Sequence, residues 1–214
     1  MESKIHITTQ AACVDDKGDI WFFSNDINAL FYFNLEGKIK YVTSFQQEKL
    51  LQSDLYNKMI YKFGKLFLFP VQAKKIAVFN LINHVVTYIE IPEREGVIFY
   101  NVIEHNKKYI LFPVVNGDYV YKLDLDTNKI VIIDKVRKSH IKKNMILNGN
   151  AIIGNDIILA DMDTNNVITY NCCDYTKQLY VIKADVALFS TVSYNNVWGT
   201  LSNDGSLLIF FEDK

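Results

Sequence analysis

An internal repeat constrains this chain more than any other feature of its sequence. Phe33-Asn34-Leu35, Phe79-Asn80-Leu81, Leu123-Asp124-Leu125 and Tyr170-Asn171-Cys172 share one pattern, and the central Asn or Asp recurs at 34, 80, 124 and 171, in steps of 46, 44 and 47. Upstream of each lies a second apolar segment: DIWFFS (19–24), KLFLFP (65–70), KYILFP (108–113), DIILAD (156–161) and, a fifth time, NVWGTL (196–201). Downstream of the first four come a turn and another apolar run: GKIKYV, HVVTYI, NKIVII and KQLYVI. A period of this length means that each unit is one supersecondary piece, which buries its apolar face only against its neighbours.

Each unit reads as an initial strand, a short turn, a second strand, a polar loop, a third strand, a tight turn and a fourth strand. Four antiparallel strands in about 45 residues are the signature of a propeller blade. The expected fold is therefore all-β: a β-propeller of four-stranded antiparallel blades, five in number, forming a single domain over residues 1–214. The blades fall at 10–45, 56–92, 98–136, 148–183 and 186–214. The fifth unit lacks a fourth strand before the sequence stops, and KIHITTQ (residues 4–10) alternates apolar and polar residues as an outer strand does. Residues 3–9 are thus expected to complete the fifth blade and close the ring.

Two stretches carry a resemblance to known proteins. DDKGDIWFFSNDINALFYFNLEGKI (15–39) resembles the propeller repeat of bacterial two-component regulator sensors, in which an acidic residue, a Gly turn and an Ile/Leu-Trp pair precede a Gly- or Asn-containing loop. YVYKLDLDTNKIV (119–131) is similar to repeats of bacterial surface and quinoprotein-like propellers. The resemblance implies a fold. No quinone- or metal-binding pattern of the quinoprotein enzymes accompanies it, so it transfers no catalytic residue and no cofactor.

Composition narrows the function classes. Half of the 214 residues are hydrophobic, and 14 Phe and 13 Tyr with only 3 Pro suit strands that pack large side chains between sheets. With 23 Lys+Arg against 24 Asp+Glu, the net charge of -1 gives no global field for nucleic acid or an anionic membrane. The three cysteines, Cys13, Cys172 and Cys173, imply no disulfide framework. MESKIHITTQ lacks the apolar run of a signal peptide, and no stretch approaches a transmembrane span. The expectation is a cytoplasmic protein.

Asp124, Asp126 and Asn128 alternate like the start of a calcium loop, but Lys129 and Lys135 stand where such a loop requires Gly and Glu. The repeat equates this stretch with the turns at 34–38, 80–84 and 171–177, so it reads as a turn capped by an Asp or Asn side chain. Asp161, Asp163 and Asn165 form a second trio with the same defect, and no metal site is expected.

In propellers, the loops between second and third strands and between blades gather on one binding face. On that basis Asn25, Asp26, Asn116, Asp118, Asp161 and Asp163 are candidate ligand-binding residues. The most distinctive charge cluster, KVRKSHIKK, adds Arg137, Lys138, His140, Lys142 and Lys143, beside Lys135. Without interleaved aromatics it suits an acidic protein surface better than nucleic acid. In the long loop 45–59, Leu50, Leu51 and Leu55 are spaced as in a short amphipathic turn. The chain carries no G-x-S-x-G, H-E-x-x-H, Walker or GxGxxG motif. The functional expectation is a non-catalytic module holding a protein partner or a small polar ligand. The alternatives are a propeller hydrolase or lyase acting on a carbohydrate-like substrate, whose paired carboxyls leave no local motif, and an inhibitor or immunity-type protein.

Overall fold

A computed structural model describes residues 7–48, 54–93, 99, 101–112, 119–135, 147–161, 166–181, 188–194, 197–202 and 208–212. Its strands form five antiparallel sheets in chain order. Sheet 1 comprises β1 (Ala11–Val14), β2 (Ile20–Ser24), β3 (Ala29–Phe33) and β4 (Ile39–Ser44), and sheet 2 comprises β5 (Tyr56–Lys62), β6 (Lys65–Pro70), β7 (Lys75–Asn80) and β8 (Val86–Glu90). Sheet 3 holds β9 (Asn101–His105), β10 (Lys108–Phe112), β11 (Tyr119–Asp124) and β12 (Lys129–Lys135), and sheet 4 holds β13 (Leu147–Ile153), β14 (Asp156–Asp161), β15 (Asn166–Asn171) and β16 (Lys177–Val181). Sheet 5 has three strands among the described residues: β17 (Leu188–Tyr194), β18 (Val197–Ser202) and β19 (Leu208–Glu212). Each strand pairs with its sequence neighbour, as the four-strand units require. Of the closing segment, residues 3–6 lie outside the described residues and 7–9 carry no strand. Among the described residues there is no helix.

The strands gather into two compact units, Met1–Arg94 with sheets 1 and 2, and Glu95–Lys214 with sheets 3 to 5. In the first unit, Trp21, Phe23 and Leu30 of sheet 1 pack against Leu66, Leu68, Ala77 and Phe79 of sheet 2. In the second, β14 shows why its sequence is an unbroken apolar run: Ile157 and Leu159 face sheet 3, while Ile158 and Ala160 face sheet 5.

The repeat is explained by its turns. Asn34 Oδ1 accepts from Lys38 N (2.8 Å), Asn80 Oδ1 from Ile82 N (2.8 Å), Asp124 Oδ1 from Asp126 N and Thr127 N (3.1 Å each), and Asn171 Oδ1 from Cys173 N (2.9 Å). Each turn then passes through one left-handed residue: Gly37 (φ 80), His84 (φ 60), Asn128 (φ 53) or Tyr175 (φ 63). Only the first unit uses glycine there; the others hold an L-residue in a costly region because the capped turn over-determines it. Asp124 is thus a turn cap. Asp15 plays a comparable part in the first unit, accepting from Lys17 N, Asp19 N and the Trp21 indole N–H (2.9, 3.0 and 2.9 Å). That is the physical content of the DDKGDIW motif.

One alignment needs correction. Trp21 packs toward the following sheet, whereas Trp198 packs with Ala151, Ile158 and Ala160 of the preceding one. The second strand of the fifth unit therefore starts at Val197 and is out of step with DIWFFS by one residue, which turns every side chain to the opposite face.

Candidate functional site

The loop candidates divide into three described residues and eight others. Asn116, Asp118, Arg137, Lys138, His140, Lys142, Lys143 and Asp163 lie outside the described residues, as do Leu50 and Leu51. Asn25 is buried, and its amide works as a clasp between sheets: Oδ1 accepts from Leu55 N (2.9 Å) and Tyr56 N (3.2 Å), and Nδ2 donates to the Tyr56 carbonyl (3.1 Å). Asp26 is exposed and accepts from both the backbone N–H and the hydroxyl of Thr8 (2.7 and 2.6 Å), which holds its carboxyl below the usual range. Asp161 is buried at the end of β14. The structure therefore commits Asn25 to architecture. Asn101 does the same work in the second unit, donating to the Leu147 carbonyl and accepting from Gly149 N (3.2 Å). No group of three potential ligands for a metal occurs among the described residues.

Sequence reasoning missed a cleft between sheets 3 and 4. It encloses about 540 Å³, a size typical of small-molecule sites. Its origin lies in the repeat. In the first unit the inter-sheet space is filled by rings: Trp21 lies 5.2 Å from Tyr32 and 6.0 Å from Phe79 between centroids, and Tyr88 packs on the same cluster. Strand register equates the Trp21–Tyr32 pair with Ile110–Lys122, and Tyr88 with Leu179. Three rings are replaced by side chains that fill less of the gap, and Leu179 stays exposed.

Apolar walls come from Phe112, Leu147, Leu159, Ile168 and Leu179, with Tyr170 and Tyr175. Phe112 and Tyr170 meet edge to face at 5.1 Å. The polar edge is an ion pair across the two sheets: Lys177 Nζ lies 2.6 Å from Asp134 Oδ2 and also donates to the Lys135 carbonyl (2.7 Å). Lys122 Nζ donates to the Tyr175 hydroxyl (3.0 Å), a second link between the sheets. Burial, and then the adjacent Asp134 carboxylate, push the Tyr170 hydroxyl well above the usual tyrosine range, so it stays protonated. Chemically the cleft is a hydrophobic slot with a neutralised charge pair at one edge.

No protein-family model and no curated protein matches this chain. Solved structures do match. Virginiamycin B lyase from Staphylococcus aureus aligns at 15% identity with a TM-score of 0.67, over 94% of this chain and 69% of that one. A streptogramin B lyase structure aligns at 17% identity and 0.63, over 94% and 67%. The nidogen/laminin complex contains a chain aligned at 9% identity and 0.63, over 96% and 76%. The fold is a β-propeller. At these identities the likeness concerns fold alone, and the resemblance of residues 15–39 and 119–131 to bacterial propeller repeats holds at that level. Five sheets are compatible with the five blades that the repeat implies.

Proposed function

We propose that this propeller is a non-catalytic binding module that holds a small ligand in the cleft between its third and fourth blades. The observation that carries this reading is the cleft itself: concave, apolar-walled, and bounded by one polar edge. Such a combination is the usual form of a small-molecule site. Rigid blades favour it further, since amide clasps such as Asn25 and Asn101 fix the sheet edges before any ligand arrives and little ordering entropy is lost on binding. The three cysteines are free, which agrees with a cytoplasmic setting.

The test is a fragment library screened against the full chain by methyl-detected NMR. Saturable shifts confined to Leu147, Leu159, Ile168 and Leu179, with every hit recovered unchanged after incubation, are the expected result. Hits that shift only residues elsewhere refute the cleft as the site. Chemical conversion of a hit would favour the enzyme reading, to which the lyase structures lend support through shared fold only.

A protein partner is the second reading, favoured by the basic run Lys135–Lys143 in a nearly neutral chain. The nidogen/laminin structure is a protein complex that contains a propeller. Reversal of Lys138, Lys142 and Lys143 to Glu is expected to leave the melting temperature unchanged and to weaken an acidic partner at least tenfold in a pull-down quantified by mass spectrometry. Unchanged recovery reduces the run to a solvated connector.

A further inference from the structure

We infer that the cleft between the third and fourth blades selects an uncharged amphipathic molecule, with a flat or branched apolar body and one carbonyl or hydroxyl oxygen. This inference rests on the reading of the chain as a binding module and specifies what the module takes.

Three observations on the cleft lead there. Its lining comprises five aliphatic or phenyl side chains, two tyrosine rings and the polar side chains of Asp134, Thr176, Lys177 and Gln178. Among the described lining residues the formal charges are Asp134 and Lys177, which neutralise one another at 2.6 Å. A charged ligand would therefore shed water without meeting an uncompensated partner, a desolvation cost that nothing in the lining offsets. An uncharged oxygen faces no such cost. Lys177 pairs with Asp134 as an ion pair and donates one proton to the Lys135 carbonyl, so the ammonium retains donor capacity for an uncharged acceptor. Leu179 lines the slot at the position where the first unit has the ring of Tyr88. The side chain missing at that position is an aromatic ring, so a planar ring system suits the space beside Leu179.

The experiment uses the full chain and four probes. The naphthyl ketone 6-propionyl-2-(dimethylamino)naphthalene is neutral and carries one carbonyl; 2-(dimethylamino)naphthalene lacks that carbonyl. The anion 8-anilinonaphthalene-1-sulfonate and the cation proflavine are planar but charged. Fluorescence titration gives affinity and stoichiometry, and methyl shifts at Leu147, Leu159, Ile168 and Leu179 locate the site.

The expected result is one saturable site for the ketone at those methyls. The analogue without the carbonyl should bind roughly 3- to 10-fold more weakly, the loss of one hydrogen bond. Both ions should bind more weakly still. Leu179→Trp, at an exposed wall position where the second blade already carries a ring, should cut ketone affinity at least tenfold with the melting temperature preserved. Cleft binding of either ion with equal or greater affinity overturns the uncharged class and leaves the binding module standing. Equal affinity for the analogue overturns the assigned polar edge. Failure of all four probes to move the cleft methyls of folded protein overturns both the ligand class and the cleft as the site of the module.

Discussion

Substituting Asn25 separates architecture from ligand binding most sharply, because the sequence marks it as a ligand-contact candidate and the structure uses it as a clasp. Asn25→Ala removes three hydrogen bonds to the backbone of Leu55 and Tyr56 and a fourth to the Asp54 carboxylate, and leaves the N–H groups of Leu55 and Tyr56 and the Tyr56 carbonyl without that partner. Leu55 and Tyr56 are fully buried, so water does not replace the lost amide at once. At about 1 kcal/mol or more for each group that loses its Asn25 partner, the loss comes to about 3–5 kcal/mol. For a chain of this length that lowers the melting temperature by roughly 6–20 °C. Asn25→Asp keeps the two acceptor contacts but aims a carboxylate at the Tyr56 carbonyl and toward Asp54. It should destabilise at least as much near neutral pH and recover as acid protonates it and restores a donor. The neighbour supplies the control: Asp26 is exposed, and Asp26→Ala should move the transition by no more than about 2 °C. Differential scanning calorimetry reads all three. An Asn25→Ala melt within 2 °C of the wild type refutes the clasp and returns Asn25 to the list of candidate ligand contacts.

Two further outcomes follow from ionisation. The N–H of Thr127 and further bonds from Thr127 and Asp126 hold the Asp124 carboxyl below its usual range; stability from those bonds is present above the unfolded value of about 3.9 and is lost as pH falls through the lower folded value. Because the equivalent turns use neutral Asn34, Asn80 and Asn171, Asp124→Asn should melt like wild type at pH 6 but lose less stability between pH 4 and 2.5, and parallel curves would contradict this. Burial pushes the thiols of Cys13 and Cys172 up to about 12, while Cys173 is exposed; iodoacetamide at pH 8 should add one rapid adduct by intact mass, and rapid double labelling would refute the packing.

The fold was legible because the units repeat a physical requirement. Each must cap a tight turn with an Asn or Asp and pass one residue through a left-handed conformation, so Asn34, Asn80, Asp124 and Asn171 recur even where neighbouring residues drift. The fifth unit defeated the same reasoning at Trp198, since a run such as NVWGTL does not reveal which of two adjacent residues faces the preceding blade. Its bonding partners decide the matter: Thr191, beside Trp198 on that face, donates to the Ile158 carbonyl of the fourth blade. Polar loop residues misled for another reason. A buried Asn that bridges two backbones and an Asn that awaits a ligand have the same sequence signature, and only the position of Leu55 and Tyr56 identifies Asn25 as the former. The cleft did leave a trace, in the column where Trp21 and Tyr32 give way to Ile110 and Lys122. Reading it requires strand register, which the repeat supplies only approximately.

The same column comparison gives a test of what closes the rim of the cleft. Register places Lys177 where the second blade has Val86, and Asp134 where the first has Thr43. The 3–4 junction has exchanged a Val and a Thr for an ion pair whose side chains are only 23% and 22% exposed. Lys177→Val alone leaves Asp134 partly buried without its cation. A fully buried orphan charge costs about 3–5 kcal/mol, and residual solvent access reduces this to about 1–2 kcal/mol. Adding Asp134→Thr removes the stranded charge and reproduces the residue types found at the 1–2 junction, so the double variant should return to within about 0.5 kcal/mol of wild type in urea unfolding. That recovery would show that the pair provides polarity at the cleft edge while contributing little net stability, as expected of groups kept for recognition. Additive losses in the double variant would instead make Asp134 and Lys177 independent structural contributors and remove the electrostatic basis for excluding charged ligands.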